Sequence, residues 1–271
     1  VIRTNVYSIQ HFSYTNQNQY FKMKKNLIVV MVLFSITTCY AQKKEYKPEH
    51  TEVWEPVPEV VTPAKTNDQA PSDAVVLFDG ANMDEWIIPE GTFWDVKDGV
   101  VTIRASKEKL EKPVTIESKK SFGSMQMHIE WRSPDKVEGE GQRRGNSGIF
   151  IQSKYELQIQ DNYENVTYVN GQAGSIYKQI PPLVNACKKP GEWQTYDVFY
   201  TAPIFDKIGL LISPAYISVA HNGILVQNHA EIKGSIKFIG LPYYEPHGRL
   251  PLRLQDHGNP VSFKNIWVRE L

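Results

Sequence analysis

Residues Met125-Gln126-Met127-His128-Ile129-Glu130-Trp131-Arg132 alternate apolar and polar without a break, a pattern that makes two clean faces on an extended chain and none on a helix. The same period of two runs through 93–96, 100–103, 148–152, 155–160, 193–201, 216–221, 224–228, 251–255 and 262–268, rich in β-branched and aromatic residues. Turn pairs separate these segments: Asp79-Gly80, Asp98-Gly99, Asn170-Gly171, Asn222-Gly223 and His257-Gly258. Asp98-Gly99 and Asn222-Gly223 predict type I′ hairpins, because both central residues of that turn need positive φ. About ten short strands on tight turns, with hardly any 3.6-residue period, predict an all-β chain: a two-sheet antiparallel β-sandwich of the jelly-roll kind. No repeat of 20–50 residues marks a propeller or solenoid. With 271 residues, 41% of them hydrophobic, the chain has enough apolar surface for such a core.

The sandwich is expected over residues 74–271. Ahead of it, Met23-Lys24-Lys25 precedes an apolar run from Leu27 to Ile36 and the small-residue end Thr37-Thr38-Cys39-Tyr40-Ala41, the three parts of a secretory signal over 23–41. The run is about half the ~20 residues a membrane span needs, so no transmembrane span is expected. Export predicts a secreted or periplasmic protein; a lipid anchor on Cys39 is the alternative, with Thr38 and Tyr40 fitting that motif poorly. Residues 1–22 read as an overextended start. Residues 42–73, with Pro48, Pro56, Pro58, Pro63 and Pro71 among charges, read as a Pro-rich tether.

Thirty basic residues balance thirty acidic ones, which leaves no basic excess to release counterions from nucleic acid. Two cysteines with no metal-ligand spacing exclude a disulfide framework and a thiolate zinc site. Chemistry must come from carboxylates, imidazoles, amides and guanidinium groups. The alternation gathers such groups into rows: Gln126, His128, Glu130 and Arg132; Glu156, Gln158 and Gln160; Arg253, Gln255 and His257. These rows hold no lysine. They suit a polyol, whose hydroxyls both donate and accept, so the expected partner is an oligosaccharide or glycoside. Asp161-Asn162-Tyr163-Glu164-Asn165 is a weak signal for structural Ca²⁺, lacking the twelve-residue loop and final Glu; otherwise no cofactor or metal is expected. Asp256 is expected to cap the turn after it, His221 and His229 to serve as scaffold or rim, and Trp193 to pack in the core. The long loop 161–191, with Tyr177, is expected to wall a pocket.

Further motifs stand in order: Leu77-Phe78-Asp79-Gly80, Arg144-Gly145-Asn146-Ser147-Gly148, Tyr155-Glu156-Leu157-Gln158-Ile159-Gln160-Asp161, Pro190-Gly191-Glu192-Trp193, and Leu252-Arg253-Leu254-Gln255-Asp256-His257-Gly258-Asn259-Pro260. Together they resemble the 3-keto-disaccharide hydrolase family over nearly all of 74–271. Two loop positions depart from its pattern, Arg143 and Leu250, where glycine is usual. The resemblance implies a concanavalin A-like jelly roll, export, and action on glycosides whose glucose is oxidised at C3. A C3 ketone acidifies the C2 proton, so the glycosidic oxygen on C1 can leave by elimination and water can then add. That route needs a base at C2, donors at the ketone oxygen and an acid at the leaving oxygen. Candidates for the catalytic groups are Glu156 or His257 as base, with Glu130 and Arg253; candidates for binding are Gln126, His128, Arg132, Asn146, Gln158, Gln160, Gln255 and Tyr177. Two alternatives remain: a conventional two-carboxylate glycosidase using Glu130 and Glu156, and a noncatalytic carbohydrate-binding module.

Overall fold

In the computed structural model, which describes residues 19–26, 46–66, 69–104 and 114–271, the alternating segments are antiparallel strands. In chain order these are β1 (Val75–Phe78), β2 (Trp86–Ile87), β3 (Trp94–Lys97), β4 (Val100–Ile103), β5 (Val114–Phe122), β6 (Met125–Arg132), β7 (Ser147–Ile151), β8 (Tyr155–Ile159), β9 (Gln194–Thr201), β10 (Ile204–Phe205), β11 (Leu211–Ser213), β12 (Tyr216–His221), β13 (Ile224–Glu231), β14 (Leu250–Asp256) and β15 (Ser262–Glu270). One sheet, here sheet A, has the order β13-β12-β9-β6-β15-β4-β3, with β1 also on β15. Sheet B has the order β2-β5-β14-β7-β8, and β10-β11 is a separate hairpin. The expected two-sheet β-sandwich is the fold.

The parity of each strand sets the core. Met127, Ile129 and Trp131 of β6 and Val198 of β9 are fully buried from sheet A, as are Ile149, Leu157 and Leu254 from sheet B. Two tyrosines of β9 cross that seam: Tyr196 donates to the Gln158 carbonyl at 2.8 Å and Tyr200 to Gln152 Oε1 at 2.7 Å. A buried hydroxyl needs such a partner, so each tyrosine fixes the sheets' relative position as well as filling volume.

Both predicted I′ turns form, with φ of 52° and 76° at Asp98-Gly99 and 53° and 77° at Asn222-Gly223. The β7–β8 turn gave no such signal, yet Gln152 and Ser153 sit at φ 47° and 54° without glycine. Gln152 offsets that strain with a fully used amide: Nε2 donates to Phe122 O at 3.0 Å and Gly248 O at 3.2 Å while Oε1 accepts from Tyr200. The nine-residue β5 was also missed, because Lys119 and Lys120 interrupt its apolar row.

Two compact units divide at Glu59/Val60. In the first, residues 19–26 are helical and the chain from 46 to 59 is exposed around one 3-10 turn at Pro48–His50. In the second, residues 60–66 and 69–73, expected within a tether, belong with the sandwich. Thr62 and Ser72 close the neck of this segment by two backbone-nitrogen bonds, of 3.0 Å and 3.1 Å, and Asp73 pairs with Arg269 at 2.6 Å. Most of the signal segment, residues 27–41, lies outside the described residues; among the described ones no helix is long and apolar enough to cross a membrane.

Gln152→Ala takes this partner away from the buried Tyr200 hydroxyl and from the Phe122 and Gly248 carbonyls and keeps the strained turn. It should destabilise the protein by about 2–4 kcal/mol in urea unfolding.

Candidate active site

The outward face of sheet B is organised in rows across the strands. Glu117 lies opposite Arg253, Arg253 opposite Phe150, and Phe150 opposite Glu156. In the next row Thr115 faces Gln255 and Gly148 faces Gln158, and one further step of the β14–β7 register brings Gln255 beside Gly148. Gly148 thus leaves a gap in the middle of a polar face. The Glu156 carboxyl group lies across that gap: a Cβ at position 148 would meet its Oε1 at 2.5 Å. Glycine is required here for close approach, since its own φ is not in the left-handed region.

Over this floor stands a cavity of about 400 Å³ lined by Asn146, Phe150, Glu156, Gln158, Tyr177, Ile236, Phe238, Gln255 and His257. The loop after β8 builds one wall. Gly174 N–H donates to Gln158 O and Tyr177 N–H to Glu156 O, both at 3.0 Å, so the loop pairs with the β8 edge and sets Tyr177 beside Glu156. Lys178 Nζ then donates to Phe238 O at 2.8 Å and Gln179 Nε2 to Gly234 O at 2.9 Å, tying down the segment that carries Ile236 and Phe238. Asn146 is anchored on Gln142 O at 2.8 Å and accepts from Gln158 Nε2 at 3.1 Å. Ser147 Oγ donates to Gln255 O at 2.6 Å, and Gly145 N–H to Asn259 Oδ1 at 3.0 Å. These last contacts explain why two distant motifs belong together: one loop positions the other.

Glu156 is 5% exposed, and burial pushes its carboxyl up to about 8. Among the described residues no cation or hydrogen-bond donor offsets that cost. Burial likewise raises the Tyr177 hydroxyl, which shares a 2.6 Å hydrogen bond with Tyr168. Gln158 Oε1 and Gln255 Oε1 are buried without a partner, so hydrogen-bonding capacity remains unused. The polar floor is interrupted by Phe150 and faces the apolar residues Ile236 and Phe238 of the loop.

Residues 73–269 match the 3-keto-alpha-glucoside-1,2-lyase-like domain. The chain belongs to that family. A candidate glycosyl hydrolase from Parabacteroides distasonis ATCC 8503 is 48% identical, with a TM-score of 0.76, covering 84% of this chain and 98% of its own. Two more from the same organism, at 21% and 20% identity with TM-scores of 0.53 and 0.51, share the fold; each covers 73% of this chain and 94% or 99% of its own. No curated protein matches significantly.

Within the 3-keto-alpha-glucoside-1,2-lyase-like domain, the candidate residues divide. Glu156, His257, Asn146, Gln158, Gln255 and Tyr177 meet at the sheet B cavity. Arg253 does not line it: Glu117 holds its Nε at 3.0 Å, and Phe150 separates it from Glu156 by two strand spacings, about 10 Å. Gln160 is a loop anchor, donating to Gly141 O at 2.8 Å and to Arg144 O. Gln126, His128, Glu130 and Arg132 point from sheet A, on the opposite outer face, because β6 spends its odd positions on the shared core. Phe150, Ile236 and Phe238 were not singled out from the sequence; the available signal was a run of large apolar residues, Phe238-Ile239-Gly240-Leu241, in a loop.

Other expectations resolve locally. Asp256 caps its turn through Gly258 N–H at 2.8 Å. His221 is fully buried beside Tyr196, and burial lowers its imidazole to about 3. Trp193 is half-buried rather than in the core, with Arg132 and Lys264 over its ring at 4.8 Å and 4.6 Å. Asp161 pairs with Arg144 at 2.6 Å, and among the described residues no cluster of three or more His, Cys, Asp or Glu side chains gathers for a metal.

A raised carboxyl favours the protonated folded state. The unfolded chain releases that proton near 4.5 and the folded chain near 8, so Glu156 should cost stability progressively as pH rises through this window. Urea unfolding at about pH 5 and about pH 8.5 should show Glu156→Gln gaining stability relative to the wild type at the higher pH only.

Proposed function

We propose that this chain cleaves 3-keto-glycosides by elimination, with Glu156 as the base at C2. The supporting observation is its isolation: a desolvated carboxylate with no ion pair is a stronger base than one in water, and its pKa near 8 is matched to a weakly acidic C–H. The C2–H bond breaks, the proton passes to Glu156, and the electron pair moves onto the C3 ketone oxygen as an enolate. Amide groups of Asn146, Gln158 and Gln255 and the Tyr177 hydroxyl line the same cavity as Glu156 and are the donors proposed for this oxygen. The enolate then collapses to form the C1–C2 double bond as the C1–O bond breaks. His257, exposed at the cavity, supplies the proton to the leaving oxygen. Water adds its hydroxyl to C1 and its proton to C2 to complete net hydrolysis.

The amides take this role, and Arg253 does not, since Glu117 already engages its guanidinium group. A conventional carboxylate pair of Glu130 and Glu156 receives no support, because the two occupy opposite outer faces of the sandwich. Export to the periplasm or medium agrees with the signal-like segment and completes the proposal.

Matched 3-keto and ordinary glucosides, each deuterated at C2, test the reading. We expect turnover of the 3-keto compound alone, with a primary isotope effect or loss of deuterium to solvent, and a fall of about 10²–10⁴ in rate for Glu156→Gln. Retention of deuterium with equal turnover of the ordinary glucoside would establish direct hydrolysis instead; binding without turnover of either would establish a noncatalytic module.

A further inference from the structure

The polar row of β6 faces a second cavity, of about 830 Å³, on the outer side of sheet A. Its floor comes from three strands: Gln126, His128 and Glu130 of β6, Thr195 and Asp197 of β9, and Trp267 of β15. Its roof is the segment after Val60, through Val61, Pro63, Ala64 and Pro71. A solvated sheet face would leave charged side chains exposed, yet His128 and Glu130 are 4% and 7% exposed.

Their charges are balanced locally. Asp197 Oδ1 lies 2.7 Å from His128 Nδ1, and Glu130 contacts Lys264 at 3.2 Å and Asn265 at 3.1 Å. Despite burial, Asp197 and Glu130 hold His128 protonated, up to about 9; despite burial, His128, Asn265 and Lys264 hold Glu130 down to about 2. Asn265 reaches Glu130 from a β-bulge, where φ is 47° and the β15 register slips between Lys264 and Trp267. Bulges of this kind re-aim side chains, and asparagine is among the few non-glycine residues that tolerate the left-handed conformation this one needs.

Two donors in this floor remain unused. His128 Nε2 is 3.8 Å from Glu130, too far for a hydrogen bond, and Trp267 Nε1 has no partner. Both residues line the cavity, and their rings stack at 5.6 Å and 14°, which holds them in place. Buried N–H groups left open beside a carboxylate and an amide form a set with matched donors and acceptors, and the charged lining residues, His128 and Arg269 against Glu130 and Asp197, leave no net charge to match an ion. An aliphatic roof opposite supplies the complement to the C–H face of a pyranose. We infer that this cavity is a second, noncatalytic binding site for a neutral saccharide, on the face of the sandwich opposite Glu156. It holds a glycan strand or disaccharide independently of the chemistry in the sheet B cavity.

The test uses the full chain with maltose and cellobiose, unoxidised probes of both linkages. In ¹H–¹⁵N spectra the Trp267 indole resonance, identified by its loss in Trp267→Phe, should shift saturably with at least one sugar. Gln126→Ala should weaken that response about tenfold, whereas Gln255→Ala should leave it unchanged. An indole signal that does not move in the wild type at the highest soluble sugar concentration would overturn the site, even if a variant failed to fold. So would a response abolished by Gln255→Ala and indifferent to Gln126→Ala. Turnover of 3-keto-glycosides bears on neither result, so the two proposals stand or fall separately.

Discussion

The apolar seam between the two sheets decides which way the polar rows of β6, β8 and β14 face. Strands from both sides give alternate residues to it, so whatever is polar on β6 must leave through one outer face and whatever is polar on β8 and β14 through the other. Burial at zero exposure of Ile129, Val198, Leu157 and Leu254 makes a one-residue slip prohibitive, because it would carry a charged row into the seam. The tyrosines of β9 add a directional constraint to a nondirectional one. Tyr196 ends on the carbonyl of Gln158, so the strand that carries the base is registered against the opposite sheet by a hydrogen bond as well as by packing.

That arrangement lets two glutamates with nearly equal exposure have opposite characters. Glu130, 7% exposed, has Lys264 and Asn265 within hydrogen-bonding reach and stays ionised. Glu156, 5% exposed, has a glycine beneath it and aromatic or amide neighbours around it, and burial alone governs its carboxyl group. Burial sets the cost in both cases; the neighbours decide whether the cost is met. Environment, more than residue type, separates a structural ion from a group able to take a proton.

Much of this was legible in the chain. Strict alternation located β6, β8 and β14, aromatic and β-branched residues located β15, and the two glycine turns located their hairpins, because these signals are local. The motif Asn146-Ser147-Gly148, the row of Glu156 and Gln158, and the run from Gln255 to His257 supplied most of the cavity's polar residues. What parity could not tell was which outer face each row would occupy: a polar row looks the same on either sheet. Thus Gln126, His128, Glu130 and Arg132 were grouped with Glu156, and Arg253 stood among the catalytic candidates although Glu117 lies opposite it across β5 and β14. Ile236 and Phe238 reach the site through a loop held by Lys178 and Gln179, a tertiary bond network with no periodic trace in sequence.

The row Glu117, Arg253, Phe150, Glu156 shows how the isolation of Glu156 is maintained. Four adjacent strands could have offered two carboxylates to one guanidinium group, and a shared arginine would have drawn the Glu156 carboxyl down into the ordinary acidic range. Instead Glu117 occupies Arg253 through both Nε and a terminal nitrogen at 3.0 Å, and the Phe150 ring fills the next position on the face. Phe150 therefore acts on charge as well as on shape: it excludes water from the carboxylate and stands between it and the one cation of its row. The gap at Gly148 completes the effect, because a side chain there would lift the carboxyl group off the sheet and toward solvent. An uncompensated acid is costly to fold around, and this face imposes that cost through two small structural choices, an aromatic and a glycine on one strand with a single residue, Ile149, between them.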